Sequence, residues 1–180
     1  MKKKIVIVSA SLRSGSNSEA LAQEVARGAS VNGNEVVFVS LKDRDIRFCH
    51  GCLACQKTGK CSIKDGVAAL LPVVSSADAI VFATPIYYYE MSGQLKTFLD
   101  RMNPLYGTDY RFREVYFLSV SADQDDEAAE RAVHGLQGWI DCFPRCTLKK
   151  AVHFGGINDP LGAEKDEVSM RKAYEFGKAI

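Results

Sequence analysis

Several common signatures are missing from this sequence, and each absence excludes a class of protein. Neither G-x-G-x-x-G nor G-x-x-x-x-G-K-[ST] occurs, so the dinucleotide fingerprint and the P-loop are both absent. Long apolar runs are missing too. The longest, Val67 to Val74, falls far short of the roughly 18 residues that span a bilayer. Neither sign of charge is in excess, since 23 Lys and Arg face 22 Asp and Glu for a net charge of +1. That balance lacks the basic footprint of a nucleic-acid binder and the strong acidity of a carrier that docks on basic partners. Lys2, Lys3 and Lys4 imitate the start of a signal peptide, but the apolar run behind them covers only Ile5 to Val8. Repeats, low-complexity stretches and linkers are absent as well. The expectation is one soluble, cytoplasmic domain over residues 1–180, with neither nucleic acid nor membrane as a partner.

What is present alternates between strand and helix signals. Lys4–Ser9, Glu35–Ser40, Ala79–Ala83, Glu114–Val120 and the weaker Leu148–Phe154 read as buried strands. Helical spacing appears over Asn17 to about Val31, where Asn32-Gly33-Asn34 provides a stop. It recurs at Leu95/Phe98/Leu99/Met102, at Ala129/Val133/Leu136/Ile140, and near Glu164–Ala179. Asp65 can cap a further helix carrying Val67, Leu70, Leu71 and Val74, which Pro72 should shorten or bend. Five strands with interleaved helices imply an α/β fold. Right-handed crossovers then favour a flavodoxin-like three-layer sandwich with a five-stranded parallel sheet of order 2-1-3-4-5.

In such a sheet ligands bind beyond the carboxyl ends of the strands, at the switch between strands one and three. The loop there runs from Ser9 to Ser18 straight into a helix. Four hydroxyls between Ser11 and Ser18, with Arg13, Gly15 and Asn17, suit a single terminal phosphate at a helix N-terminus. The plainer alternative is that Ser and Asn only cap that helix. The loop after strand three, Thr84 to Lys96, holds Tyr87, Tyr88 and Tyr89 followed by Gly93, a wall suited to a planar heteroaromatic ligand. Packing in the core or at a dimer contact is the competing role for those rings. The third loop, Ser121 to Asp126, offers polar groups and acids suited to capping a helix.

S-x-R-x-x-S-N-S after the first strand and T-P-I-Y-Y-Y-E-M-S-G-Q-L-K-T-F-L-D-R after the third resemble the NADPH-dependent FMN reductase family. The resemblance covers Lys4 to at least Phe154. It implies that Ser11, Arg13, Ser16, Asn17 and Ser18 hold the FMN phosphate, and that Pro85, Ile86, Tyr87 and Tyr88 line the isoalloxazine. Ser121 and Ala122 would approach the dimethylbenzene or pyrimidine side. It also implies NAD(P)H as co-substrate, no catalytic side chain because FMN carries the chemistry, a small-molecule acceptor such as a flavin or quinone, and a homodimer or homotetramer. Lys96, Asp100 and Arg101 match the family pattern, but their place on a helix suggests structural pairing. A phosphatase on a similar sheet would need C-x5-R in the first loop, where no cysteine precedes Arg13.

Four of the six cysteines, Cys49, Cys52, Cys55 and Cys61, form C-x2-C-x2-C-x5-C. This compact run is similar to that of iron–sulfur flavoproteins of the same superfamily, which implies a 4Fe–4S cluster and an alternative role as an electron-transfer carrier. Bare thiols near the flavin or a dimer contact, and another metal, stay open beside it. Zinc-ribbon knuckles lie about 15–20 residues apart, a poorer match. Cys142 and Cys146 are expected to be buried thiols. His50, His134 and His153 read as surface or core residues.

Overall fold

The structure, a computed structural model, describes residues 2–180. Its parallel strands are β1 (Lys4–Ser9), β2 (Glu35–Ser40), β3 (Ala79–Tyr87), β5 (Glu114–Val120) and β6 (Thr147–Phe154), in the order β2-β1-β3-β5-β6. A two-residue strand, β4 (Glu90–Met91), pairs antiparallel with the end of β3. With that hairpin strand set aside, the order is the expected 2-1-3-4-5. The runs are hydrophobic without alternation because both faces are covered. Ile5 and Ile7 of β1 pack on one side, Val6 and Val8 on the other.

One layer consists of α1 (Asn17–Ser30) and α6 (Glu167–Lys178), which cross through glycines. A methyl added at Gly28 would collide with the Tyr174 carbonyl, and one at Gly177 with the Val25 carbonyl. The opposite layer holds α3 (Leu71–Ser75), α4 (Gly93–Asp100) and α5 (Glu130–Asp141) around an aromatic core of Phe82, Phe112, Trp139 and Phe143. The short α2 (Ala54–Thr58) belongs to the cysteine segment.

The structure departs from the sequence reading in four places. Strand β3 runs on to Tyr87 because Thr84 and Pro85 pair with β5, and Ile86 and Tyr87 pair with β4. The helix expected after Asp65 is reduced to α3, with Pro72 in its first turn, where a missing N–H costs little. The C-terminal helix begins at Glu167, capped by Asp166, after a separate 3₁₀ turn over Ala163–Lys165. Cys146 is buried as expected, and burial raises its thiol to about 11, but Cys142 is exposed.

Asp65 does more than begin a helix. Its carboxylate forms an ion pair with Arg101 at 2.5 Å, both side chains being fully buried. Arg101 also donates to the Arg47 carbonyl and to Cys61 Sγ. This pair therefore ties the end of α4 to both ends of the cysteine segment. Lys96 pairs with Asp100 on the surface of the same helix, so these residues serve structural pairing. Burial pushes the Asp65 carboxyl up, but hydrogen bonds from Arg101 and from the N–H groups of Arg47 and Val67 outweigh it and hold it at about 2. Because the unfolded carboxyl protonates first, at 3.8, the stabilisation is complete above that pH and is lost as pH falls through about 2. Asp65→Ala should cost about 3–5 kcal/mol in urea unfolding at neutral pH, because it leaves a buried guanidinium unpaired. A loss below about 1 kcal/mol, the scale of an exposed pair, would contradict this role.

Candidate functional site

The parallel strands β1, β3 and β5 release their following loops at one end of the sheet, and these loops enclose a cavity of about 210 Å³. Ser11, Arg13, Ser16, Asn17 and Ser18 line it from the first loop. Pro85, Ile86 and Tyr87 line it from the end of β3, and Ser121 and Ala122 from the loop after β5. Of the residues that the resemblance assigns to FMN, only Tyr88 stands apart, 98% exposed at the hairpin tip, and Tyr89 beside it does not line the cavity either. Val120, Ile157 and Asn158 complete the wall. No sequence signal marked the last two, since they follow β6 in a stretch without any motif.

The first loop is built to present donors. Ser16 caps α1 by accepting from the Glu19 N–H at 3.2 Å. The N–H groups of Asn17 and Ser18, in the first turn of α1, have no acceptor among the described residues. Ser9 Oγ, buried at the end of β1, has no partner among them either. Arg13 stands beside these groups, donating to the Asn158 carbonyl, and Lys42 reaches Ser14 Oγ at 3.1 Å. A helix N-terminus, the Ser11 and Ser18 hydroxyls and the Arg13 guanidinium line the cavity together, a donor set that fits a phosphate. Asn17 itself is engaged differently. Its amide donates to the Asp159 carbonyl at 2.9 Å and accepts from the Ala163 N–H at 3.0 Å, so the side chain ties the 157–163 loop to the cavity.

The β3–β4 hairpin carries backbone strain. Tyr88 and Tyr89 occupy its two central positions with φ of 51° and 64°. Two left-handed residues are what a type I′ turn requires, and Gly or Asn normally supplies them. Placing tyrosines there costs about 1–2 kcal/mol per residue. Tyr89 also bonds to the third loop, its hydroxyl donating to Asp123 Oδ2 at 3.1 Å. Asp125 accepts from the Glu127 N–H, which makes it a cap, as the sequence suggested.

The four clustered cysteines lie elsewhere. Asn103, just beyond α4, donates to Cys55 Sγ at 3.1 Å, and Arg101 donates to Cys61 Sγ at 3.5 Å. The segment thus sits at the far end of α4, an eight-residue helix about 12 Å long, from the hairpin that borders the cavity. Cys49 and Cys52 are exposed, Cys55 is buried and Cys61 half-buried. Among the described residues no three His, Cys, Asp or Glu side chains gather to hold a metal ion. The thiols have the chemistry of cluster ligands, but this arrangement does not bring them together.

The family model for NADPH-dependent FMN reductase matches residues 3–157. The chain belongs to the NADPH-dependent FMN reductase family. It is an NAD(P)H-dependent oxidoreductase with the family's flavodoxin-like fold. An iron-sulfur flavoprotein of Archaeoglobus fulgidus is 38% identical, over 90% of this chain and 84% of that one. Another, of Methanocaldococcus jannaschii, is 28% identical over 98% and 95%. Among solved structures, an NAD(P)H:quinone oxidoreductase from Methanothermobacter marburgensis superposes with a TM-score of 0.74 at 17% identity, covering 99% of this chain and 96% of that one. Among the described residues no helix is long and apolar enough to cross a membrane.

Gly155, just after β6, sets the depth of the third loop. A methyl there would lie 2.7 Å from the Asp123 carbonyl and 2.9 Å from that of Gln124. Gly155→Ala should displace residues 121–124 and weaken FMN binding about tenfold while the chain stays folded. Unchanged FMN affinity in titrations of the folded variant would remove the third loop from the site.

Proposed function

We propose that this member of the family binds one FMN in the cavity at the β1/β3 switch and passes electrons from NAD(P)H to a small acceptor, a flavin, quinone or similar molecule. One observation carries the reading: three separate loops converge there, pairing a phosphate-type donor set with a strand exit of main chain and aromatic rings. The N–H groups of Asn17 and Ser18, the hydroxyls of Ser11 and Ser18, and Arg13 take the phosphate. Ser16 acts by capping α1, and Asn17 by holding the 157–163 wall. Pro85, Ile86 and Tyr87 flank the ring from one side, Ser121 and Ala122 from the other. When bound, FMN supplies the redox chemistry, accepting hydride from NAD(P)H and returning two electrons to the acceptor. The side chains need only bind, orient and leave one ring face open to the nicotinamide. The fully exposed Tyr88 on a strained turn favours a homodimer or homotetramer whose partner completes that open face.

A second reading has its own support. Relatives bearing the iron-sulfur flavoprotein name match almost the whole chain, and Cys49, Cys52, Cys55 and Cys61 could ligate a 4Fe–4S cluster if the loop closes. Iron and acid-labile sulfide assays on protein purified without oxygen decide it. About four irons per chain would support an electron carrier, and none would leave bare thiols.

Arg13→Ala should weaken FMN binding by about 1–3 kcal/mol, the scale of a charge-assisted hydrogen bond. Asn17→Ala should lower binding and thermal stability together, because it frees the 157–163 loop. The wild-type protein should oxidise NAD(P)H in steady state with free FMN or a quinone as acceptor. Reconstituted protein that shows no such turnover would point to a non-enzymatic carrier.

A further inference from the structure

The cysteine segment borders a second cavity, of about 550 Å³, which shares no lining residue with the one at the β1/β3 switch. Sites for small organic ligands occupy roughly 300–1,000 Å³. Three stretches of chain enclose this one: the cysteine segment, the end of α4 and the end of α5. Its floor is apolar and held in place by the core. Trp139 donates its Nε1–H to the Leu99 carbonyl at 3.2 Å, which ties α5 to α4 and stops the indole from swinging. Phe112 stacks on that indole with 17° between the ring planes, and Phe143 packs against it at 4.5 Å between centroids. Leu99 and Phe143, which complete the floor, are buried, and the half-exposed Tyr106 stands at the rim.

Ionised groups are scarce there. Asp100 is the one acid or base on the lining besides the thiols, and Lys96 pairs with it at 2.6 Å. An entering ion would give up water without meeting an opposite charge, so the cavity suits an uncharged molecule. The other polar side chains are mainly amides. Asn103 spends one N–H on Cys55 Sγ and keeps a second, and Gln56 brings another amide. Such N–H groups match a carbonyl oxygen on a ligand. Cys49 and Cys142, both exposed, line the cavity from different segments and offer soft sulfur to the edge of an aromatic ring. We propose that this cavity is a binding site for a flat, uncharged aromatic compound bearing a carbonyl oxygen, separate from the flavin site. The inference goes beyond the FMN reading, because the two cavities have no residue in common. It is equally independent of a cluster, because Cys142 lies outside the C-x2-C-x2-C-x5-C run.

The probe is dimethylnaphthoquinone, with a methyl on both free carbons of its quinone ring so that thiols add to it poorly. Trp139 is the one tryptophan of the chain, so its fluorescence reports on this cavity. The full chain should show saturable quenching, and the same probe concentrations should slow alkylation of Cys142 by iodoacetamide, followed by peptide mass spectrometry. Tyr106→Ala, at a half-exposed position, should fold normally and weaken binding about fivefold through loss of one aromatic contact. Naphthoquinone sulfonate, which is charged, and dimethylnaphthalene, which lacks the carbonyls, should each bind about tenfold more weakly. Saturating FMN should leave the protection of Cys142 unchanged. No saturable quenching, or quenching that leaves Cys142 as reactive as before, overturns the proposal, whether a second copy of the chain or the cysteine segment itself closes the cavity. Equal affinity for the two analogues overturns the assigned ligand chemistry. Protection that FMN abolishes places the quinone in the β1/β3 cavity and overturns this proposal while the FMN reading stands. Failure to bind FMN, with Cys142 still protected by the quinone, overturns the FMN reading and supports this one.

Discussion

Two parallel strands at the centre of the sheet, β1 and β3, send their chains to opposite faces, and the site exists because of that divergence. After Ser9 the chain turns into α1 on the layer it shares with α6; after Tyr87 it turns through β4 into α4 on the other layer. Both strands are buried on both faces and hydrogen-bonded along their length, so neither can shift to close the crevice between the diverging loops. A rigid gap flanked by a helix N-terminus follows from topology alone. The side chains decide what fills it.

Around that gap the structure uses polar groups to fix loops more than to reach into the cavity. Asn17, Arg13, His153 and Tyr89 each bond to a carbonyl, hydroxyl or carboxylate of another loop. Loops held this way lose little freedom when a ligand arrives, which favours binding. The strain at Tyr88 and Tyr89 belongs to the same pattern, since a tight turn places the hairpin against the third loop. At the far end of α4, the buried Asp65–Arg101 pair performs a similar service for the cysteine segment. One region thus anchors a preformed cavity, and the other holds four thiols that have not converged.

The central architecture could be read from the sequence because its signals are local. Buried parallel strands are continuous apolar runs, and Lys4–Ser9, Glu35–Ser40 and Glu114–Val120 appear with the bounds expected of them. The loops at the switch point were readable for the same reason, as unusual residues directly after such runs. What stayed hidden depends on contacts between distant segments. Ile157 and Asn158 join the cavity because Asn17, Arg13 and the Ser121 carbonyl, all distant in sequence, hold their loop. His153 bonds to Ser119 and Ser121, more than thirty positions away. The extension of β3 to Tyr87 required a partner, β4, too short to carry any periodicity of its own. Cys142 was expected to be buried from its place near a helix end, and it is exposed there.

The claim that the β1/β3 crevice is a flavin mononucleotide site is tested most directly by titrating the cofactor-free protein with FMN and with riboflavin, which lacks the phosphate. The account predicts one FMN per chain, bound at least about tenfold tighter than riboflavin because the first loop engages the phosphate. Equal affinity for the two, or no binding of either, would contradict it.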